Sequence, residues 1–380
     1  SNIGNALLQK GNYDEAVKMY KDAIKLDENN SIYHYNLGVA LTQCNDNKSA
    51  VKAYKDCLKI NPKNLSALKF LGNCYNNLKM FHEALNIYRK WEKLDKNNPE
   101  PNFLQSQIHI RHGRFNVGWK LYEYGLKNNI RKPFKGYYDE SKPIWNGKPF
   151  DGTLLVYGEQ GIGDQINFGT LIPELLEIQK KIIIKVDGRL KDIFKNTFPN
   201  IEVVGEDFFV KKETYDKYIS LGSLCKIFRN HTDKFTNSKF DRYIVSKNHN
   251  SKIKQFFSRI KGLKVGISWC SFSEKNGAQR SLSTDDLAKI TNFHNINFIN
   301  IQYGNVLKQI KEVKLLNGRE ISKVPFTDLT KDINSVASII QNCDLIISVD
   351  NSTAHLAASM GKPIWILLPF SSEFRWMENI

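Results

Sequence analysis

The sequence contains no run of about 18 consecutive apolar residues, the length a helix needs to cross a bilayer, so no membrane-spanning helix is expected. Its opening, SNIGNALLQKGNY, lacks the basic and apolar segments of a secretory signal. It also lacks an initial Met and starts inside a repeat, which suggests that the chain begins partway through a longer protein. Cysteine is sparse: Cys44, Cys57, Cys74, Cys225, Cys270 and Cys343 lie far apart, with no CxxC pair. That pattern argues against a disulfide framework or a zinc site and predicts buried free thiols in a reducing, cytoplasmic setting. A concentrated basic block is missing too. The net charge is +16, but residues 1–126 hold 18 Lys and Arg against 12 Asp and Glu, and residues 127–380 hold 37 against 27. Charge so evenly spread is a habit of the whole chain and not a nucleic-acid footprint. What remains is a globular chain of 380 residues, 41% hydrophobic, long enough for two or three domains.

Residues 1–126 repeat with a period of 34. Tyr recurs at Tyr20, Tyr54, Tyr88 and Tyr122; small residues recur at Ala16, Ala50, Ala84 and Gly118; Gly4, Gly38 and Gly72 give way to Ser106. Four helical hairpins are predicted, and their period and small-residue positions resemble tetratricopeptide repeats. In such arrays small side chains let paired helices approach and Tyr fills the space between neighbours. In the fourth repeat Ser106, His109 and Gly118 replace better packers, as expected where an array docks onto another domain. Residues 127–151, rich in Lys, Pro, Gly and aromatics, read as a connector whose Phe134, Tyr137, Tyr138 and Trp145 pack against a neighbour.

An α/β pattern follows. A buried strand at Leu154 to Tyr157 leads through GEQGIGDQ into a helix predicted from about Ile166 to Gln179, then a strand at Ile182 to Val186. Glycine-rich loops between a strand and a helix let backbone approach a ligand. A nicotinamide or flavin enzyme is one reading, with Asp187 near the ribose-binding distance. The spacing opposes it, because Gly158, Gly161 and Gly163 give GxxGxG and not GxGxxG. Asp164, taken without further context, reads as a helix cap. Short strands continue to about residue 245, and a second half opens with a strand at Leu263 to Trp269. Ser283 then caps a helix from Thr284, a strand runs from Asn297 to Gln302, and an amphipathic helix covers Asp328 to Cys343.

The most informative stretch is DLIISVDNSTAHLAASMGKPIWILLPF, residues 344–370. Leu345 to Val349 is a buried strand; Asp350, Asn351, Ser352 and Thr353 open a helix; Gly361 ends it; Ile364 to Leu368 is a second apolar strand. Continuous apolar strands imply a parallel sheet covered on both faces, whose ligands bind at the carboxyl ends of the strands. The helix start offers N–H groups and partial positive charge to an anion such as a diphosphate, with His355 in its first turn. Capping by Asp350 and Asn351, with a surface His355, is the plainer alternative.

The string VDNSTAHLAASMGKP resembles the VDTxxAHLAxALGKP segment of heptosyltransferase-like glycosyltransferases, and GEQGIGDQINF resembles their GEQGxGDxIQF loop. The combination is similar to bacterial proteins that join tetratricopeptide repeats to such a transferase. Asn351 stands where the family has Thr. The resemblance implies a solenoid (1–126), the connector (127–151), and a glycosyltransferase type B pair of Rossmann-like halves, at 152–245 on the acceptor side and 246–380 on the nucleotide-sugar side. It also implies a closing C-terminal piece that this sequence lacks. Asp164 would be the base that deprotonates the acceptor hydroxyl, and Arg280, or Lys275 after it, would offset the donor phosphates. His355 would act with Arg280. Gly161, Gly163, Gln302, Asp350, Asn351, Ser352 and Thr353 would line the donor, with Tyr303 and Gly304 bordering the nucleotide. No metal or other cofactor is expected, since DxD, paired acidic clusters and His/Cys ligand spacings are missing. The acceptor would be a protein or peptide held by the repeats. Two alternatives stand beside this: a catalytically inactive repeat scaffold, and an enzyme acting on lipopolysaccharide or another glycan.

Overall fold

The computed structural model describes residues 2–131, 138–236, 243–244, 251–273 and 277–377. Two compact units result: Ser1–Ile130 with Phe370–Ile380, and Arg131–Pro369.

The first unit is built from helices Asn2–Lys10, Tyr13–Leu26, Ser31–Gln43, Asn47–Ile60, Leu65–Asn77, Phe81–Leu94, Glu100–Arg111 and Phe115–Tyr122, packed in sequence as hairpins. The recurring glycine and tyrosine explain one another. A Cβ placed on Gly4, Gly38 or Gly72 would lie 2.8, 2.5 or 2.3 Å from the ring of Tyr20, Tyr54 or Tyr88, so the ring occupies the space a side chain would need. Each hairpin turn carries a left-handed residue at the same period, Gly11, Asn45, Lys79 and Gly113, with φ of 81°, 63°, 58° and 70°. Side-chain caps start several helices: Asp46 accepts from the Ser49 N–H at 3.0 Å and Asn64 from the Ala67 N–H at 2.9 Å.

The fourth repeat breaks the rule. Tyr122 has no glycine beneath it and stacks among Phe103, Trp119 and Phe374, at 5.4, 5.3 and 5.7 Å between ring centres. Phe374 comes from the C-terminal segment. Arg111 donates to the Ser372 carbonyl, and the Ser371 hydroxyl donates to the Asn76 carbonyl at 3.3 Å. Residues 370–377, assigned from sequence to the second α/β half, therefore pack with the helical unit. The reason is aromatic burial and not strand pairing: the last strand ends at Leu367, and Phe374 is 2% exposed.

The second unit holds two parallel sheets. In the first, β1 (Leu154–Tyr157), β2 (Ile182–Val186), β3 (Glu202–Gly205) and β4 (Lys217–Ser220) lie in the order β3-β2-β1-β4. In the second, β5 (Leu263–Ser268), β6 (Ile296–Asn300), β7 (Ile321–Ser322), β8 (Leu345–Val349) and β9 (Ile364–Leu367) lie in the order β7-β6-β5-β8-β9. Tyr138 and Trp145 of the connector pack on the first sheet. The Tyr138 ring stacks on Tyr157 and Tyr218 at 4.6 and 4.4 Å, and the Trp145 N–H donates to the Tyr218 carbonyl at 2.9 Å. Phe134 and Tyr137 lie outside the described residues. The single helix predicted after the glycine-rich loop is two, Ile162–Gly169 and Ile172–Ile178. Pro173 is the cause, since it has no N–H to donate to the Gly169 carbonyl and so interrupts the helical ladder there. No helix among the described residues is long and apolar enough to cross a membrane.

His109 gives the helical unit a pH dependence. It is 6% exposed, and burial, with Arg114, Arg89 and His112 adding repulsion, pushes its imidazole down to about 4. At neutral pH the ring is uncharged in both folded and unfolded chains. As pH falls through the unfolded value near 6.5, the unfolded chain takes up the proton first, so stability is lost down to about 4 and levels below it. The loss is at most about 3 kcal/mol. Native-state hydrogen exchange in Glu100–Arg111 at pH 7 and pH 4.5 measures it, and His109→Leu should remove that share of the slope.

Candidate functional site

The first loop leaves β1 at Tyr157 and is tied at once to β2: the Gly158 N–H donates to the Lys185 carbonyl at 2.7 Å. Gln165 lies across Gly158, where a Cβ would fall 2.4 Å from Gln165 Oε1, and the same oxygen accepts the Asp187 N–H at 2.9 Å. Asp164 Oδ2 accepts from the Gly161 N–H at 3.3 Å, long for a charge-assisted bond. The half-buried carboxylate thus sits as a loose cap on the loop that precedes its own helix. Gly161 itself is open, with nothing nearer than Asp164 Oδ2 at 3.7 Å to an added Cβ.

Asp187 does not offer itself to a ribose. Its two carboxylate oxygens receive Arg189 Nε at 2.9 Å and Nη2 at 2.8 Å. Burial works to raise this carboxyl, and the donations from Arg189 overcome it and hold it below the usual range. This closed pair, added to the GxxGxG spacing, removes the basis for a dinucleotide site.

In the second half the carboxyl ends of β5 and β8 are joined by a side-chain network. Gln302 Oε1 accepts the Ser268 hydroxyl and the N–H groups of Trp269 and Cys270 at 2.9, 2.9 and 2.8 Å, and its amide donates to the Tyr303 carbonyl. Gln302 is 1% exposed, and its oxygen shapes the loop that follows β5. Asn351 behaves likewise. Its Oδ1 caps helix Ser352–Ser359 through the Thr353 and Ala354 N–H groups, at 3.0 and 3.4 Å, while its Nδ2 donates to Ser268 Oγ at 2.8 Å and the Cys270 carbonyl at 3.2 Å. Neither Thr nor Ser reaches in both directions at once. Asp350, 1% exposed, pairs with Arg280 Nη1 at 3.3 Å. Lys275 lies outside the described residues. Beside this network the rings of Phe272 and Tyr303 meet at 5.4 Å, with Phe272 over Gly304, whose φ is 84°.

The two loops come together. A Cβ on Gly163 would lie 3.2 Å from His355 Cδ2 and 3.3 Å from Ser352 Cα, so the first turns of helices Ile162–Gly169 and Ser352–Ser359 touch through a glycine. Tyr243 pins the same pair from behind. Its hydroxyl donates to the Ile166 carbonyl, its ring packs on Phe194 and Phe198, and its backbone N–H donates to the Ser359 carbonyl at 3.0 Å. Gly163, Ser352 and His355 are thereby brought together, Asp164 follows Gly163 in the chain, and Arg280 is tied to the Asp350 that precedes this helix.

Sequence reasoning missed Glu159 and Arg131. They form an ion pair whose side chains are both 0% exposed, at the carboxyl ends of β1 and β4. Arg131 Nη2 also donates to Ser220 Oγ at 2.9 Å, and Glu159 Oε1 accepts the Gly222 N–H at 3.1 Å. Burial pushes the Glu159 carboxyl up, against the pull of Arg131 and that N–H. A charged residue within GEQG was visible in the sequence; its partner, 28 positions earlier in the connector, was not.

Comparison with known proteins places residues 4–43 in a TPR repeat family and residues 32–64 in a tetratricopeptide repeat family. The N-terminal region is an array of such repeats, followed by an α/β region of parallel sheets. The chain is 25% identical over 296 residues to Protein FlbA of Caulobacter vibrioides, covering 71% of this chain and 48% of the relative. It thus spans about half the length of that curated relative. Among solved structures, MamA 41-end from Desulfovibrio magneticus RS-1 is 19% identical, with a TM-score of 0.33, covering 34% of this chain and 74% of that one. The second TPR domain of human RPAP3, in complex with the HSP70 peptide SGPTIEEVD, is 20% identical, with a TM-score of 0.27, covering 28% and 89%.

Asn351→Ala should destabilise the second unit by about 2 to 3 kcal/mol, since it strips a cap and leaves buried donors and acceptors unmet. The midpoint of urea unfolding, followed through the fluorescence of buried Trp269, measures this. Asn351→Ser, able to cap but not to reach Ser268 and Cys270, should recover only part of the loss.

Proposed function

We propose that the chain is a metal-independent glycosyltransferase that moves a sugar from a nucleoside diphosphate to an acceptor hydroxyl, with a protein or peptide acceptor held by the repeats. The observation that supports it most is the meeting of two helix starts at Gly163, Ser352 and His355, each at the carboxyl end of a parallel sheet. Two positive helix ends aimed at one place favour an anion. This meeting supports a type B arrangement, in which two Rossmann-like halves face each other.

The chemistry assigns each side chain a task. The acceptor oxygen attacks the anomeric carbon and gives its proton to the Asp164 carboxylate. The bond from that carbon to the diphosphate oxygen breaks, and its electron pair leaves with the diphosphate. Arg280 and His355 offset the charge that develops there. Because Asn351 already occupies the Thr353 and Ala354 amides, the N–H groups of Ile162, Gly163 and Ser352 are assigned to the phosphates. The rings of Phe272 and Tyr303 border the nucleotide. Peptide capture is assigned to the groove that a solenoid of such repeats offers.

The occupied amides and the occupied Gln302 oxygen favour a second reading, a repeat scaffold whose α/β region has lost its donor. Calorimetric titration of UDP, GDP and ADP separates the two. In the transferase reading one of them binds, unaffected by chelators, and Arg280→Ala weakens it by about ten- to a hundredfold. Absence of binding by all three to folded protein selects the scaffold. Asp164→Asn then tests the base: transfer to co-expressed acceptors, read by mass spectrometry, should fall by about 10² to 10⁴ with nucleotide affinity intact. A mere cap would tolerate Asn without change.

A further inference from the structure

We propose that Arg131 and Glu159 are positioning residues that fix the glycine-rich loop and so aim Asp164; this rests on the reading of Asp164 as the base. In open parallel sheets the crevice for ligands lies where the chain reverses its direction of strand addition. The order β3-β2-β1-β4 puts that crevice between β1 and β4. Here it is filled by the chain's own charges. Glu159 leaves β1, Ser220 ends β4, and the Arg131 guanidinium joins them. The Ser220 and Ser223 hydroxyls, 2.8 Å apart, complete the floor.

Three features make the pair a device for placement. A buried ion pair is seldom worth more than well-packed apolar side chains, so stability alone does not call for it. The loop after β4 is shaped around it, since a Cβ on Gly222 would lie 2.4 Å from Glu159 Oε1 and 2.6 Å from Arg131 Nη2. Finally, the anchor is one oxygen: Oε1 takes both Arg131 and the Gly222 N–H, while Oε2 has no hydrogen-bond partner among the described residues. The next residue, Gln160, has φ of 64°, an unusual conformation outside glycine, and it starts the turn that delivers Gly161 and Asp164. With Glu159 fixed on one side and Gln165 bonded to Asp187 on the other, the segment carrying Asp164 is held at both ends.

The test is a neutral double variant, Arg131→Met with Glu159→Leu, compared with wild type and Glu159→Gln. The readouts are thermal midpoint, hydrogen exchange of residues 158–166, nucleoside diphosphate affinity and transfer. The double variant should fold with its midpoint and nucleotide affinity near wild type. Its loop amides should lose protection by about tenfold, and transfer should fall by about a hundredfold, the scale for a misplaced catalytic group. Glu159→Gln keeps an acceptor for the Gly222 N–H and should lose less of both. Wild-type loop protection in the folded double variant overturns the proposal. If the double variant does not fold, unchanged protection and transfer in Glu159→Gln overturn it, and a partial loss of both supports it. Should wild type bind no nucleotide and transfer nothing, the glycosyltransferase reading falls, while loop protection still decides whether the pair places the loop.

Discussion

The arrangement of the second unit turns on one close approach, helix Ile162–Gly169 against helix Ser352–Ser359 at Gly163. The distances of 3.2 and 3.3 Å from an added Cβ to His355 and to the Ser352 backbone are tighter than side chains ordinarily tolerate. A larger residue would have to push the two helix starts apart, and with them the two sheets that carry them. Tyr243 opposes such opening, because its ring is anchored in the first half and its backbone in the second. Two like-signed helix ends held this near are mutually unfavourable, and they are relieved by negative charge placed between them. The geometry and the electrostatics therefore make the same demand at one point.

Around that point, polar side chains expected to meet a ligand are largely spent on the protein. Gln302 and Asn351 satisfy backbone groups where β5, β6 and β8 end, and Asp187 is closed by Arg189. This follows from burial: the ends of parallel strands expose carbonyl and N–H groups in a place water barely reaches, and each must be paired. The residues assigned to chemistry in the proposed reaction are those at the rim, Asp164, Arg280 and His355.

Legibility divides along sequence distance. The 34-residue period disclosed the hairpins because each Gly–Tyr contact spans 16 positions and recurs. The apolar strands were read within a residue or two, since burial on both faces leaves an unbroken signature. The loops at the strand ends were likewise found from their glycines and capping residues. What sequence did not disclose is what the partners are. Asn351 looked like a cap or a donor contact and is a cap that also braces Ser268, 83 positions away. The packing of Phe374 on Trp119 and Tyr122 left only an indirect mark, the degeneracy of the fourth repeat. Arg131 left none.

Arg280 illustrates how a residue at the rim can belong to structure and chemistry together. Its Nη1 lies 3.3 Å from the buried Asp350 carboxylate, beyond the 2.7 to 2.9 Å of a tight charge-assisted bond. Were the pair a closed one, a phosphate could reach Arg280 only by stranding a buried carboxylate, at a cost of several kcal/mol. A guanidinium, however, presents five N–H donors in a planar fork. In the proposed reaction Arg280 need not leave Asp350 to meet the diphosphate; one edge of the fork keeps the carboxylate while another takes the anion. Asp350 then serves to aim the arginine, and its burial at 1% exposure keeps that aim fixed as charge moves onto the leaving group. Lysine, a single point charge on a flexible stem, could not divide itself in this way.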